Sequence, residues 1–119
     1  MTYSFIETEV SDGIARLTFN RPAQLNAFNN ELMRETLAAV AALNGDDSVR
    51  VIIVSGHGRA FSAGFDLKAA SERQLEGHAQ WRDQLELQFD FIMGFWDSNV
   101  PTIAAVHGYC LAGALEVSL

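Results

Sequence analysis

The chain has 119 residues, 49% of them hydrophobic and 19% charged, and a formal charge of −7 at neutral pH. That balance suits a globular protein with one modest core, so a single domain over residues 1–119 is expected and intrinsic disorder is excluded. Its Lys and Arg residues are scattered, which argues against nucleic-acid binding through phosphates. No apolar run reaches the ~18 residues that a membrane span needs.

The first residues, Met1 to Phe5, show neither the basic nor the apolar region of a secretory leader. A lone Cys110 allows no internal disulfide and fits a reducing cytoplasm, where it is expected to act as a small buried hydrophobe. Residues 3–10 (YSFIETEV) and 14–19 (IARLTF) are rich in β-branched and aromatic types. With Ser11-Asp12-Gly13 between them, they read as a hairpin that ends before Pro22, a residue unable to donate to a ladder. From Asn29-Asn30 onward Leu32, Met33, Thr36, Leu37, Val40, Ala41 and Leu43 recur at helical spacing, from an Asn cap to Asn44-Gly45.

VRVIIVSG (49–56) is continuously apolar and β-branched, the pattern of a strand buried on both faces of a parallel sheet. Residues 71–97 read as mainly helical, with Leu75, Leu85, Leu87, Phe89, Phe91, Ile92, Phe95 and Trp96 supplying an apolar face. The helix breaks before Pro101. TIAAVHG (102–108) reads as a second buried strand, and a further helix opens at Gly113. A hairpin followed by alternating helices and strands gives an α/β class with a partly parallel sheet. LAGALEVSL stops as an uncapped apolar helix, so the chain is expected to be the N-terminal part of a longer protein.

Two stretches share the design strand, glycine turn, helix: VIIVSGHGRAFSAGFDL and TIAAVHGYCLAGALEV. In parallel sheets ligands bind outside the carboxyl ends of strands, and a glycine there lets backbone N–H groups face a polarised oxygen. The N–H groups of Phe65 and Gly113 could hold one oxygen between them as an oxyanion hole. Equally, the glycines could serve only as tight turns; spacing alone leaves both readings open. Glu116, three residues past Gly113 in an apolar stretch, tips the balance toward chemistry, because a carboxylate beside such a hole can move a proton. Asp66 is expected to cap the helix that follows it.

GHGRAFSAG lacks the Lys-Ser/Thr of a phosphate-binding loop and the spacing of a dinucleotide fingerprint, and Ser62 is not in a nucleophile elbow. His57, His78 and His107 lack metal-ligand spacing, so no metal is expected. Trp81 and Trp96 are expected to pack.

The stretches NRPAQLNAF (20–28), VIIVSGHGRAFSAGFDLK (51–68) and PTIAAVHGYCLAGALE (101–116) together resemble the enoyl-CoA hydratase/isomerase (crotonase) family. The resemblance implies a spiral of ββα units assembled as trimers or pairs of trimers. It implies acyl-CoA substrates, with coenzyme A part of the substrate and no metal or redox cofactor. By the same resemblance the thioester oxygen lies between the N–H groups of Phe65 and Gly113, which stabilise an enolate. Ala23, Leu25, Ala27, Ala63, Gly64, Phe65, Asp66, Leu67, Lys68 and Gly113 then bind the substrate and its CoA. Arg21, Arg59 or Lys68 offsets phosphate charge.

Glu116 matches the first of two glutamates that hydratases of the family use on water; the second is expected beyond Leu119. The sequence departs from the family at Ala112 and Ala114, where many members have glycine, and at Phe65, where simple hydratases have alanine. The turn is therefore expected to be less open, or the acyl pocket narrower. An aromatic followed by Asp-Leu-Lys-Ala-Ala is similar to carnitinyl-CoA dehydratase-like members. The expected function is an acyl-CoA hydratase or dehydratase. Isomerase, thioester hydrolase or decarboxylase chemistry on the same enolate, or a noncatalytic module or inactive fragment, are the alternatives.

Overall fold

The computed structural model describes residues 2–119. Strands β1 (Ile6–Ser11) and β2 (Ile14–Phe19) form an antiparallel hairpin. Asp12 and Gly13, with φ of 54° and 81°, make the two-residue turn whose twist suits the hairpin. The first strand starts later than the 3–10 expected, because Ser4 and Phe5 donate their N–H groups to the Glu35 carboxylate rather than to a neighbouring strand.

Helix α1 (Asn30–Asn44) is capped as expected, the Asn29 side chain accepting the Leu32 N–H at 2.8 Å. Its inner face buries Leu32, Met33, Thr36, Val40 and Leu43. Gly45 keeps a right-handed φ of −84°, so no left-handed glycine closes the helix. The Asn44 side chain closes it instead, donating to the Val40 carbonyl and accepting the Asn99 N–H.

Strand β3 (Val51–Gly56) runs parallel to β2. Helix α3 (Gly77–Trp96) is followed by β5 (Thr102–Ala104), parallel to β3, giving the order β1-β2-β3-β5. Strands β3 and β5 both depart from the fully buried strands expected at 49–56 and 102–108. In β3 only Ile52 and Val54 are fully buried, their neighbours half so, because the core packs on one face of the sheet. Strand β5 is shorter than 102–108 and Ile103 is exposed. The chain leaves the sheet after Ala105 and bends at Gly108, where φ is 61°.

Two strands escape the sequence reading: β4 (Ala60–Ser62) and β6 (Tyr109–Cys110), a parallel pair forming a second sheet. Runs this short carry no periodicity. Each follows a strand of the main sheet and leads into a helix: α2 (Leu67–Glu72) and then α3 after β4, and α4 (Gly113–Ser118) after β6. After the hairpin and α1, the chain thus advances as two ββα units, β3-β4-α2/α3 and β5-β6-α4, each spanning both sheets.

The helix expected at 71–97 is two helices. They are divided at Arg73–Glu76, where the backbone is extended and Gly77 has a φ of 78°. The inner face of α3 runs through Gln84, Phe91 and Phe95. That phase leaves Leu85, Phe89 and Trp96 exposed, and Trp81 as well, so neither tryptophan packs in the core. Gln84 and Asn30 exchange amide hydrogen bonds, which seats a buried polar group between α1 and α3. Cys110 is half-buried rather than a core residue. Phenylalanine rings form the centre of the core: Phe28 meets Phe19, Phe65 and Phe91 edge-on, with Phe61 beyond Phe19 and Phe95 beyond Phe91. No helix of the described residues is long and apolar enough to cross a membrane.

Candidate active site

The loop after β2 is pinned by Asn26, which is 0% exposed and left-handed at φ 56°. Its side-chain oxygen accepts the Arg21 N–H, and its amide donates to the carbonyls of His57 and Ala60, all at 2.8 Å. The same loop lies along the residues that follow β4. Ala63 N–H donates to Leu25 O, Phe28 N–H to Gly64 O and Asp66 N–H to Phe28 O. These bonds bring Leu25 and Ala27 beside Ala63, Gly64, Phe65 and Asp66. Ala23 is exposed in a short 3-10 turn, Pro22–Gln24, just before.

The bonds also aim a donor. In a trans peptide the C=O and N–H point opposite ways. Because Gly64 O faces Phe28, the N–H of Phe65 must face away from that loop, and it has no acceptor among the described residues. Gly64 is required: its φ is 92°, and a side-chain carbon there would come within 2.7 Å of Leu111 O. The same carbon would lie 3.4 Å from the Gly113 nitrogen, so the corners after β4 and β6 abut. Pairing of Ala60 with Tyr109 and Ser62 with Cys110 sets them side by side.

At the second corner Ala112 O accepts the N–H groups of Leu115 and Glu116. The N–H of Gly113 belongs to the same peptide, points out from the start of α4, and has no acceptor among the described residues. Gly113 is buried under Phe65: a side-chain carbon there would meet the ring at 2.6 to 3.0 Å. The half-buried ring rests on Gly113 and against Phe28. Ala112 adopts φ 48° and ψ −117°, a glycine-type conformation carried by an alanine. The turn keeps that backbone despite the substitution, and Ala114 is fully buried.

Glu116 is exposed in the first turn of α4, three residues after Gly113 and hence on the same helix side. It lines a cavity of about 620 Å³ with Trp96, Thr102, Ile103 and Ala104. Neither Phe65 nor Gly113 lines that cavity.

Asp66 caps α2 by accepting the Ala69 N–H at 2.9 Å. Arg21 meets it at 3.0 Å, both side chains only 12% exposed. Burial is the largest influence on the Asp66 carboxyl and raises its pKa. The Ala69 N–H, the Arg21 hydrogen bond and charge, and the Lys68 N–H together outweigh it and hold the group below the ordinary aspartate value. Arg21 also donates to Ala27 O and lies over the Phe5 ring, so it is committed within the fold and is not a free phosphate partner. Arg59, Leu67 and Lys68 are exposed, and neither cation forms an ion pair among the described residues.

Neither Asn26 nor Ser62 carries a sequence pattern that marks it for this site. Ser62, also 0% exposed, donates to Asn26 O at 2.8 Å and accepts the Gly64 N–H at 3.0 Å. The one signal in the chain for Asn26 is the tolerance of asparagine for left-handed backbone, and Ser62 has none. Among the described residues no cluster of His, Cys, Asp or Glu could hold a metal ion.

A family model described as Enoyl-CoA hydratase/isomerase matches residues 9–119. The chain is 34% identical to a probable enoyl-CoA hydratase of Mycobacterium bovis, over 100% of this chain and 44% of the relative. It is 38% identical to the 4-chlorobenzoyl coenzyme A dehalogenase-1 of an Arthrobacter species, over 96% and 42%. A solved enoyl-CoA hydratase/isomerase of Xanthobacter autotrophicus Py2 superposes with a TM-score of 0.94 at 49% identity, over 98% of this chain and 43% of that one. The chain thus spans less than half the length of these relatives.

Proposed function

Because the chain belongs to the enoyl-CoA hydratase/isomerase family, we propose that it carries half of an acyl-CoA site that adds water to, or removes it from, an enoyl thioester. The observation that carries this reading is the pair of unpaired N–H groups, Phe65 and Gly113, on abutting corners. Both donate to the thioester oxygen. Glu116 accepts a proton from water while the water oxygen bonds to the β-carbon. The double-bond electrons move onto the thioester oxygen as an enolate; as they return, the α-carbon takes the proton held on Glu116, which restores the carboxylate. Donors fixed before the reaction are worth about 10²–10³ in rate for each one removed. The backbone bonds on Gly64 O and Ala112 O support such fixing.

The substrate lies along Ala23, Leu25, Ala27 and the segment from Ala63 to Lys68. Lys68 and Arg59 are the cations left for phosphate once Arg21 is committed. No metal or redox cofactor enters this chemistry, and the working form is a homotrimer or a pair of trimers in the cytoplasm. Sedimentation of the intact protein reads that assembly.

The test is the intact protein with crotonyl-CoA, followed by loss of conjugated-thioester absorbance. Hydration is expected, and Glu116→Gln is expected to slow it by about 10²-fold or more while CoA binding persists. Unchanged turnover in Glu116→Gln would remove Glu116 from the mechanism. Double-bond migration, or release of chloride from 4-chlorobenzoyl-CoA, without any hydration would replace the hydratase reading with other chemistry on the same thioester.

A further inference from the structure

We propose that Ser62 is a positioning residue: its hydroxyl, braced on Asn26, sets the direction of the Phe65 N–H. This rests on the reading of that N–H as an oxyanion donor. Ser62 is wholly buried at the end of β4. Its hydroxyl forms a relay, with Gly64 N–H donating to Ser62 Oγ and Ser62 Oγ–H donating to Asn26 O. Bonds in such a chain polarise one another.

The relay joins the two segments whose relative placement aims the donor. The peptide carrying the Phe65 N–H is held on its carbonyl side by Phe28, two residues after Asn26, and Ser62 holds the peptide before it. Asn26 cannot follow a shift of Gly64, because its side chain is fastened to Arg21, His57 and Ala60. Gly64, at φ 92°, imposes little backbone preference of its own. Without the hydroxyl its buried N–H has no acceptor, and the peptide is free to rotate toward one. The next peptide, which carries the donor, turns with it.

A merely structural serine would affect stability alone, so the deciding readout is the bound thioester. With cinnamoyl-CoA carrying ¹³C at the thioester carbon, the intact protein is expected to lower the carbonyl stretch in infrared difference spectra. In Ser62→Ala the stretch is expected to move back toward its value in water. kcat for crotonyl-CoA is expected to fall about 10-fold or more, with KM and the affinity for free CoA nearly unchanged. Ser62→Cys keeps the shape of the side chain at a somewhat larger size, with a weaker hydrogen bond; it is expected to lie between the two and carries the test if the alanine variant does not fold. No lowering in the unsubstituted protein would mean that the oxyanion reading itself fails. Lowering that persists, with unchanged kcat, in a folded Ser62 variant would overturn the role of Ser62 alone.

Discussion

An alanine at position 113 would place its methyl carbon 2.6 Å from the Phe65 ring, and the ring is backed by Phe28. Gly113→Ala is therefore expected to cost about 1–3 kcal/mol, the usual penalty of overpacking. Denaturant unfolding of the single variants and of Gly113→Ala/Phe65→Ala should show strong coupling, with part of the loss recovered in the pair; additive losses would mean that the ring does not bear on that carbon. Ala112 lies the other way. Its glycine-type backbone stores about 1–3 kcal/mol, and glycine in exchange costs about 0.5–1 kcal/mol in unfolded-state entropy. Ala112→Gly is thus expected to raise stability by about 1 kcal/mol, read as a higher denaturation midpoint. The sequence located both corners by their glycines but could not show the ring of Phe65 on Gly113, since that contact links residues 48 positions apart. Asn26 and Ser62 were illegible for the same reason: what marks them is burial beside particular carbonyls, and neither residue type announces that in the chain.

Among elements, the Arg21–Asp66 pair joins the loop after β2 to the start of α2. The Asp66 carboxyl has a lowered pKa in the folded state, so its contribution is present above the unfolded-state value and lost as pH falls through the lower folded value. In urea titrations, acid destabilisation beginning near pH ~4 and growing below it is expected to be shallower in Asp66→Asn than in the parent chain. Parallel slopes would show that the pair carries no pH dependence. The Asp66 cap was readable because an acid stood at the head of a helix-like run, and α1 because seven residues kept its period. The short strands β4 and β6 were not, because three and two residues display neither alternation nor a hydrophobic run. The sequence therefore showed the corners as ends of the main-sheet strands, whereas they sit at the ends of a second pair.

For the whole molecule, the edge-on phenylalanine contacts connect the hairpin, the second sheet and α3, with Phe28 at their centre. Phe28→Ala is expected to cost about 3–5 kcal/mol and to lower turnover beyond any loss of folded protein, because the ring that backs Phe65 is lost from the loop whose backbone holds Gly64 O and Asp66 N. Turnover per folded molecule that stays at the parent level would separate core from site. The class and order of the main elements were legible, since burial imposes period two or 3.6 on long segments; the two-sheet arrangement was not, as it depends on pairing. That pairing has a metric consequence. Adjacent strands lie about 4.7–4.9 Å apart. One oxygen accepting two N–H groups at about 2.9 Å each, spread by a trigonal angle, needs nitrogens about 5 Å apart. The β4–β6 pairing therefore works as a ruler: it starts the two corners one strand spacing apart, close to the separation that two donors on one oxygen require, and side chains around it can change without altering that gauge.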